Sequence, residues 1–191
     1  HDAILDPTGE FIVVLDLGSD LLRIYSFDKD TSLLTEIDHI SCPSGSGPHY
    51  GVFWAPTANF TRGALLFLHV LAELDSTITS FRITYPSSER IAFEQIGIVN
   101  SYGSAQAAPY GIAAEIEVSP DNRFIIASNR NDSSFEIPSL NSNNETKEPS
   151  DSLAVFKPMA DGTLSFVQLA LAGGIWPKYF KMNKKGDLVA V

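Results

Sequence analysis

Along most of this chain, apolar and polar residues alternate with a period of two in short runs, separated by clusters of Pro, Gly, Asp, Asn and Ser. The run Phe11-Ile12-Val13-Val14 follows Asp6-Pro7-Thr8-Gly9-Glu10, and the alternating Leu22-Arg23-Ile24-Tyr25-Ser26-Phe27 follows Asp16-Leu17-Gly18-Ser19-Asp20. No segment sustains an apolar period of 3.6, so the pattern predicts many short strands joined by tight turns and argues against alternating strands and helices. The fold class expected is all-β.

The pattern repeats. A second copy runs through Ala55-Pro56-Thr57-Ala58, Leu65 to Val70 and Glu73 to Phe81. A third runs through Ser119-Pro120-Asp121-Asn122-Arg123, Phe124 to Ala127, Asn129-Arg130 and Asp151 to Phe156, and a fourth begins at Asn183-Lys184-Lys185-Gly186. The turn prolines Pro7, Pro56 and Pro120 stand 49 and 64 residues apart; without an insertion at 131–149 the second interval is about 45, the size of a propeller blade. In each unit a Pro-x-Gly-like turn is expected to start an apolar inner strand, a polar turn reverses it, and an alternating strand follows. A fourth strand comes later, Leu33 to Ile40 in the first unit and Thr163 to Leu169 in the third. Four strands per unit predict β-propeller blades, at 1–48, 49–112 and 113–176, with the next starting at 177–191. A β-sandwich also has short strands at regular spacing, but it would not repeat one motif in register. About three and a half blades cannot close a ring, so the sequence is expected to be a fragment whose remaining blades are its first partner. His1, set directly against a strand motif, fits a sequence that begins inside a longer one.

Composition narrows the partners. The formal charge of −10 opposes a nucleic acid or an anionic membrane, yet a few convergent cations can still make a local anion site. With a single cysteine, Cys42, neither an intrachain disulfide nor a Cys-based zinc site is possible. Sequons at Asn59, Asn131 and Asn144 lean the location toward a secretory route over the cytoplasm without deciding it.

In a propeller the loops leading into the innermost strands and the ends of the second strands open on one rim. Those places carry His1, His49, Glu115 and Lys178, and then Asp16, Glu73 and Arg130. Together they form an acid/base and anion-binding set, because His or Glu moves protons while Arg grips a carboxylate by two parallel bonds. Taken singly, Asp16 is a natural brace of its own turn, Glu115 and Lys178 can pair with neighbouring blades, His69 reads as a satisfied core histidine and His39 as a surface strand residue. Glu73 and Arg130 stand apart: they share a repeat position but differ in charge, which points to function. This set requires neither a metal nor a cofactor.

The ordered motifs resemble the lactonase family of seven-bladed propellers, which includes 6-phosphogluconolactonase and the fungal 3-carboxy-cis,cis-muconate lactonising enzyme. They are His1-Asp2-Ala3, Asp16-Leu17-Gly18, Gly45-Ser46-Gly47-Pro48, Glu73-Leu74-Asp75-Ser76-Thr77, Ala114-Glu115-Ile116, Ser128-Asn129-Arg130, Asp161-Gly162-Thr163-Leu164 and Gly173-Gly174-x-Trp176-Pro177. The resemblance implies seven blades and an enzyme that opens or closes the lactone ring of a carboxylate-bearing or sugar-derived small molecule. Carried over motif by motif, it implies catalytic roles for His1, Glu73 and Arg130, with Arg130 on the substrate carboxylate. His49 stands where the muconate-lactonising member has an Arg, which weakens the case for the same tricarboxylate substrate. The resemblance implies hydrolysis and ring closure alike, with His1 or Glu73 moving the proton and His49 assisting as acid, base or hydrogen-bond donor. A secreted propeller serving only as a binding platform is the reading from a different class.

Overall fold

A computed structural model describes residues 2–57, 60–105, 110–139 and 146–191. Three four-stranded antiparallel sheets follow one another along the chain. The first contains β1 (Ala3–Leu5), β2 (Phe11–Asp16), β3 (Leu21–Phe27) and β4 (Leu34–Ser41); the second contains β5 (Pro48–Trp54), β6 (Leu66–Ala72), β7 (Thr77–Ser87) and β8 (Arg90–Asn100). The third begins with β9 (Ile112–Val118) and β10 (Ile125–Arg130), sends out the hairpin of β11 (Phe135–Pro138) and β12 (Lys147–Ser150), and is completed by β13 (Ser152–Pro158) and β14 (Leu164–Leu171). A two-stranded sheet of β15 (Lys181–Met182) and β16 (Val189–Ala190) follows. These are propeller blades, with β5 packed against both β2 and β9.

The Pro-containing turn lies between the first and second strands of a blade, so the apolar inner strand it starts is the second strand, next to the innermost one. The innermost strands are harder to read because they are only partly covered: β1 has a single half-buried residue between two exposed ones. Residues of β1, β5 and β9 line a cleft, which weakens the period-two signal.

Burial explains the rest of the arrangement. In β2, Phe11, Val13 and Leu15 are buried while the residues between them are not, so one face carries the core. All seven residues of β6 are buried. Its Leu66, Leu68 and Val70 face the first blade and join Phe11, Val13, Leu15, Leu22 and Ile24 in one cluster. Its Phe67 and Leu71 point the other way, into a second cluster with Ile116, Ile125, Ala127 and Phe156 of the third blade. The middle sheet is therefore apolar on both faces, as a sheet covered on both sides must be.

The repeated turn is held by the same bonds each time. The N–H of Asp6, Ser119 and Asn183 donates to the carbonyl five residues on, at 2.8–3.0 Å, and the residue three places after each donates back to its carbonyl. That third residue is Gly9, Asn122 or Gly186, each with positive φ, a conformation that Gly and Asn accept most readily. Side chains then tie blade to blade at this end. Trp54 Nε1 donates to Asn122 O at 3.1 Å, Asn122 Nδ2 donates to Ala55 O at 2.8 Å, and Tyr85 OH donates to the Asp6 carboxylate at 2.7 Å.

The insertion at 131–149 contains β11 and most of β12, which pair as an antiparallel hairpin. Its base is fixed by the buried Asp151 carboxylate, which accepts the backbone N–H groups of Asn131, Asp132 and Ser133 at 2.8–2.9 Å.

Gly162, in the turn between β13 and β14, has φ +85°, and a Cβ there would lie 2.1 Å from Phe67 Cδ1 of the neighbouring blade. Gly162→Ala is expected to destabilise the protein by about 1–3 kcal/mol, through strain and overpacking of the blade interface. Denaturant unfolding at equilibrium checks this; an unchanged midpoint would contradict the close approach.

Candidate functional site

Two β-bulges shape one end of the inner strands. β5 and β6 pair Pro48 with Ala72 and Tyr50 with Leu71, which leaves His49 as the extra residue on the inner strand. Between β9 and β10 the pairing steps from Ile116–Ala127 to Ala113–Asn129, placing the extra residue at Ala114 or Glu115. A bulge re-aims side chains that strict alternation would send to opposite faces. It turns His49 toward Glu73 and puts the Ala113 and Ala114 carbonyls within reach of the same group.

The result is a compact charged network. Arg130 Nη2 donates to Glu73 Oε1 at 2.6 Å and to Ala113 O at 3.2 Å, and the other carboxylate oxygen, Glu73 Oε2, lies 3.2 Å from His49 Nε2. Glu73 bridges a guanidinium from the third blade and an imidazole from its own. The Arg130 side chain is 7% exposed, and those of Glu73 and His49 are 16% exposed, so water screens these contacts poorly. Arg130 Nε is buried without a hydrogen-bond partner among the described residues.

His49 Nδ1 lies 2.7 Å from the Ala114 carbonyl. A carbonyl can only accept, so Nδ1 carries a hydrogen and Nε2 is the ring position whose proton comes and goes. Burial pushes the His49 pKa below its ordinary value, and the bond to Ala114 works against that shift. With a proton, Nε2 makes a charge-assisted bond to Glu73; without one, it is an acceptor held beside a carboxylate.

Other expected site residues lie apart from this network. The Asp16 carboxylate accepts the Ser19 N–H at 3.2 Å and Arg23 Nε at 2.8 Å, the bracing role that its turn suggested. Register gives the reason: Asp16 pairs with Leu21 as Ala72 pairs with Thr77, so it stands one place before the repeat position of Glu73, and Leu17 occupies that position instead. Glu115 is buried; its Oε2 accepts the Phe180 N–H at 2.8 Å, and burial raises its pKa. It lines a cleft of about 690 Å³ along the inner strands, together with Tyr50, Glu117, Tyr179 and Lys181. The exposed Lys178 borders a different, smaller cavity beside Gly173, Gly174 and Trp176. His1, Asn59 and Asn144 lie outside the described residues. Asn131 is exposed, but its side-chain amide donates to Tyr110 O at 3.1 Å.

His39 lies on the surface. His69 is fully buried, and its Nδ1 contacts Ser80 Oγ at 2.9 Å, but its Nε2 has no partner among the described residues, so it is only half satisfied; burial takes its pKa down to about 3. Among the described residues, no three His, Cys, Asp or Glu side chains gather as metal ligands would, and no helix is long and apolar enough to cross a membrane.

Known proteins place this geometry in a family. A family model described as "Lactonase, 7-bladed beta-propeller" matches residues 1–191. The chain is 34% identical over 135 residues to an Arthroderma benhamiae protein named "Probable 6-phosphogluconolactonase", covering 71% of this chain and 32% of that one. A crystal structure of a Lactobacillus plantarum protein matches with TM-score 0.73 and 28% identity, over 99% of this chain and 46% of that one. The structure of Pseudomonas aeruginosa periplasmic gluconolactonase matches with TM-score 0.72 and 21% identity, over 99% of this chain and 45% of that one. The chain thus spans less than half the length of each of these relatives. With blade order, turn chemistry and family model in agreement, this chain belongs to the lactonase family of seven-bladed β-propellers.

Proposed function

We propose that this chain carries part of the active site of a lactone hydrolase acting on a sugar-derived lactone, and that His49, Glu73 and Arg130 are its working residues. The observation that carries the reading is the Glu73 bridge: one carboxylate spans Arg130 and the imidazole edge of His49. Opening a lactone requires a water to lose a proton as its oxygen attacks the ring carbonyl, and the ring oxygen to gain one as its bond to that carbon breaks. His49 Nε2 can do both in turn, taking the proton from water and returning it to the leaving oxygen. The imidazolium formed in between sits against Glu73, which stabilises it, and Arg130 holds the Glu73 side chain in place. The named 6-phosphogluconolactonase relative agrees with this class of substrate. Arg130 also supplies the positive charge that would attract a phosphate or carboxylate on the substrate.

Muconate-type ring closure fits less well. A tricarboxylate calls for several fixed cations, and His49 occupies the position where that family member has an Arg. Being held neutral by burial, it grips a carboxylate less firmly. A propeller that binds without turnover would keep affinity for the lactone while leaving its hydrolysis at the rate in buffer.

Two measurements on the intact protein test the reading. Glu73→Gln should lower kcat/KM for 6-phosphogluconolactone or gluconolactone by about 10²-fold or more, corrected for spontaneous opening, and Arg130→Ala should do the same. Wild-type turnover in both variants would end the assignment. The pH profile is the second. Because neutral His49 is the active form and its pKa is lowered, kcat/KM should hold at neutral pH and fall on acidification, with an apparent pKa below about 6.5. An acid limb that persists unchanged in His49→Gln would remove His49 from the mechanism.

A further inference from the structure

The residue just before the third strand recurs as an inter-blade strap. In the first blade Asp20 precedes β3, its carbonyl accepts the Cys42 N–H, and its carboxylate accepts the N–H of Gly45 at 2.7 Å and of Gly47 at 2.9 Å. In the second blade Ser76 precedes β7, its carbonyl accepts the Ser101 N–H, and its hydroxyl donates to Gly111 O at 3.3 Å. In the third, Asp151 precedes β13, its carbonyl accepts the Ala172 N–H, and its carboxylate accepts the Trp176 N–H at 2.7 Å. Each time, the side chain reaches forward to the loop that leads into the next innermost strand.

The first strap has a further consequence for the site. The loop held by Asp20 runs through Gly45, Ser46 and Gly47 directly into Pro48 and His49. On its other side it holds the strand end that carries Glu73: the Glu73 N–H donates to Gly47 O at 2.8 Å, and the Leu74 N–H to Ser46 O at 3.0 Å. Packing leaves the loop little freedom, because a Cβ on Gly47 would come within 2.8 Å of Leu74 Cγ and 3.2 Å of Leu17 Cγ. The two N–H groups on the Asp20 carboxylate also hold its pKa below the ordinary aspartate value, so the strap stays charged at neutral pH.

We propose that Asp20 is a positioning residue for the His49–Glu73 pair, acting from the preceding blade through the backbone of Gly45–Gly47 and touching neither side chain itself. The proposal rests on the reading that this pair does the chemistry. Its structural half, that Asp20 sets where His49 lies, is independent of that reading.

The test compares Asp20→Ala with Asp28→Ala in the intact protein. Asp28 is a matched control, since its carboxylate likewise accepts two backbone N–H groups, those of Asp30 and Thr31, but in an exposed turn of the same blade that the site does not use. In Asp20→Ala, kcat should fall about 10–100-fold, the range seen when an outer hydrogen-bond partner is lost. The His49 imidazole, followed by NMR, should titrate closer to its ordinary value as the loop loosens and water enters. Asp28→Ala should cost comparable stability and move neither. Asp20→Asn, which keeps one acceptor oxygen, should fall between, and it replaces the alanine variant if that one fails to fold. Wild-type kcat and His49 titration in the Asp20 variants would overturn the proposal. If Asp20→Ala shifts the His49 titration while Glu73→Gln leaves turnover intact, the positioning stands and the hydrolase assignment falls.

Discussion

The arrangement depends on β6 being apolar on both faces. A strand with Leu66, Leu68 and Val70 on one side and Phe67 and Leu71 on the other cannot satisfy both faces within its own sheet. It must be sandwiched, and the sheets before and after it supply the two covers. Burying each of these side chains contributes on the order of 1.5–3 kcal/mol relative to exposure. That burial sets neighbouring blades face to face, and with them the spacing between the ends of β6 and β10 where Glu73 and Arg130 stand.

The polar contacts work inside that frame. An Arg and a Glu on adjacent blades would interact weakly in water, whereas here both are largely covered and Arg130 donates to Glu73 at 2.6 Å. Two inner-strand bulges complete the geometry by turning His49 toward Glu73 and the Ala113 and Ala114 carbonyls toward Arg130 and His49. The straps of Asp20, Ser76 and Asp151 then carry each blade's position to the next. The site is thus shared between blades, so its geometry reports on blade packing as much as on local sequence.

Much of this was legible in the sequence. The second and third strands declared themselves by period-two alternation and by the repeated Pro-x-Gly turn, and the change of charge at a shared position singled out Glu73 and Arg130. The innermost strands were not legible as such, because β1 is short and half exposed and β5 and β9 carry bulges that break the alternation. Asp16 was placed with the site through a one-residue offset that only strand register reveals. The straps had no signature either: a carboxylate that accepts backbone N–H groups 25 and 27 residues away cannot be told from a turn aspartate by composition. The β11–β12 hairpin has no clear signature because polar Ser- and Asn-rich residues surround it.

Blade packing is expected to make Glu73 and Arg130 one energetically coupled pair. A double-mutant cycle measures that coupling directly, comparing the unfolding free energies of Glu73→Gln, Arg130→Met and the double variant in the intact protein. Non-additivity of about 1–3 kcal/mol is expected, as for residues in one buried network. Additivity to within about 0.5 kcal/mol would contradict it.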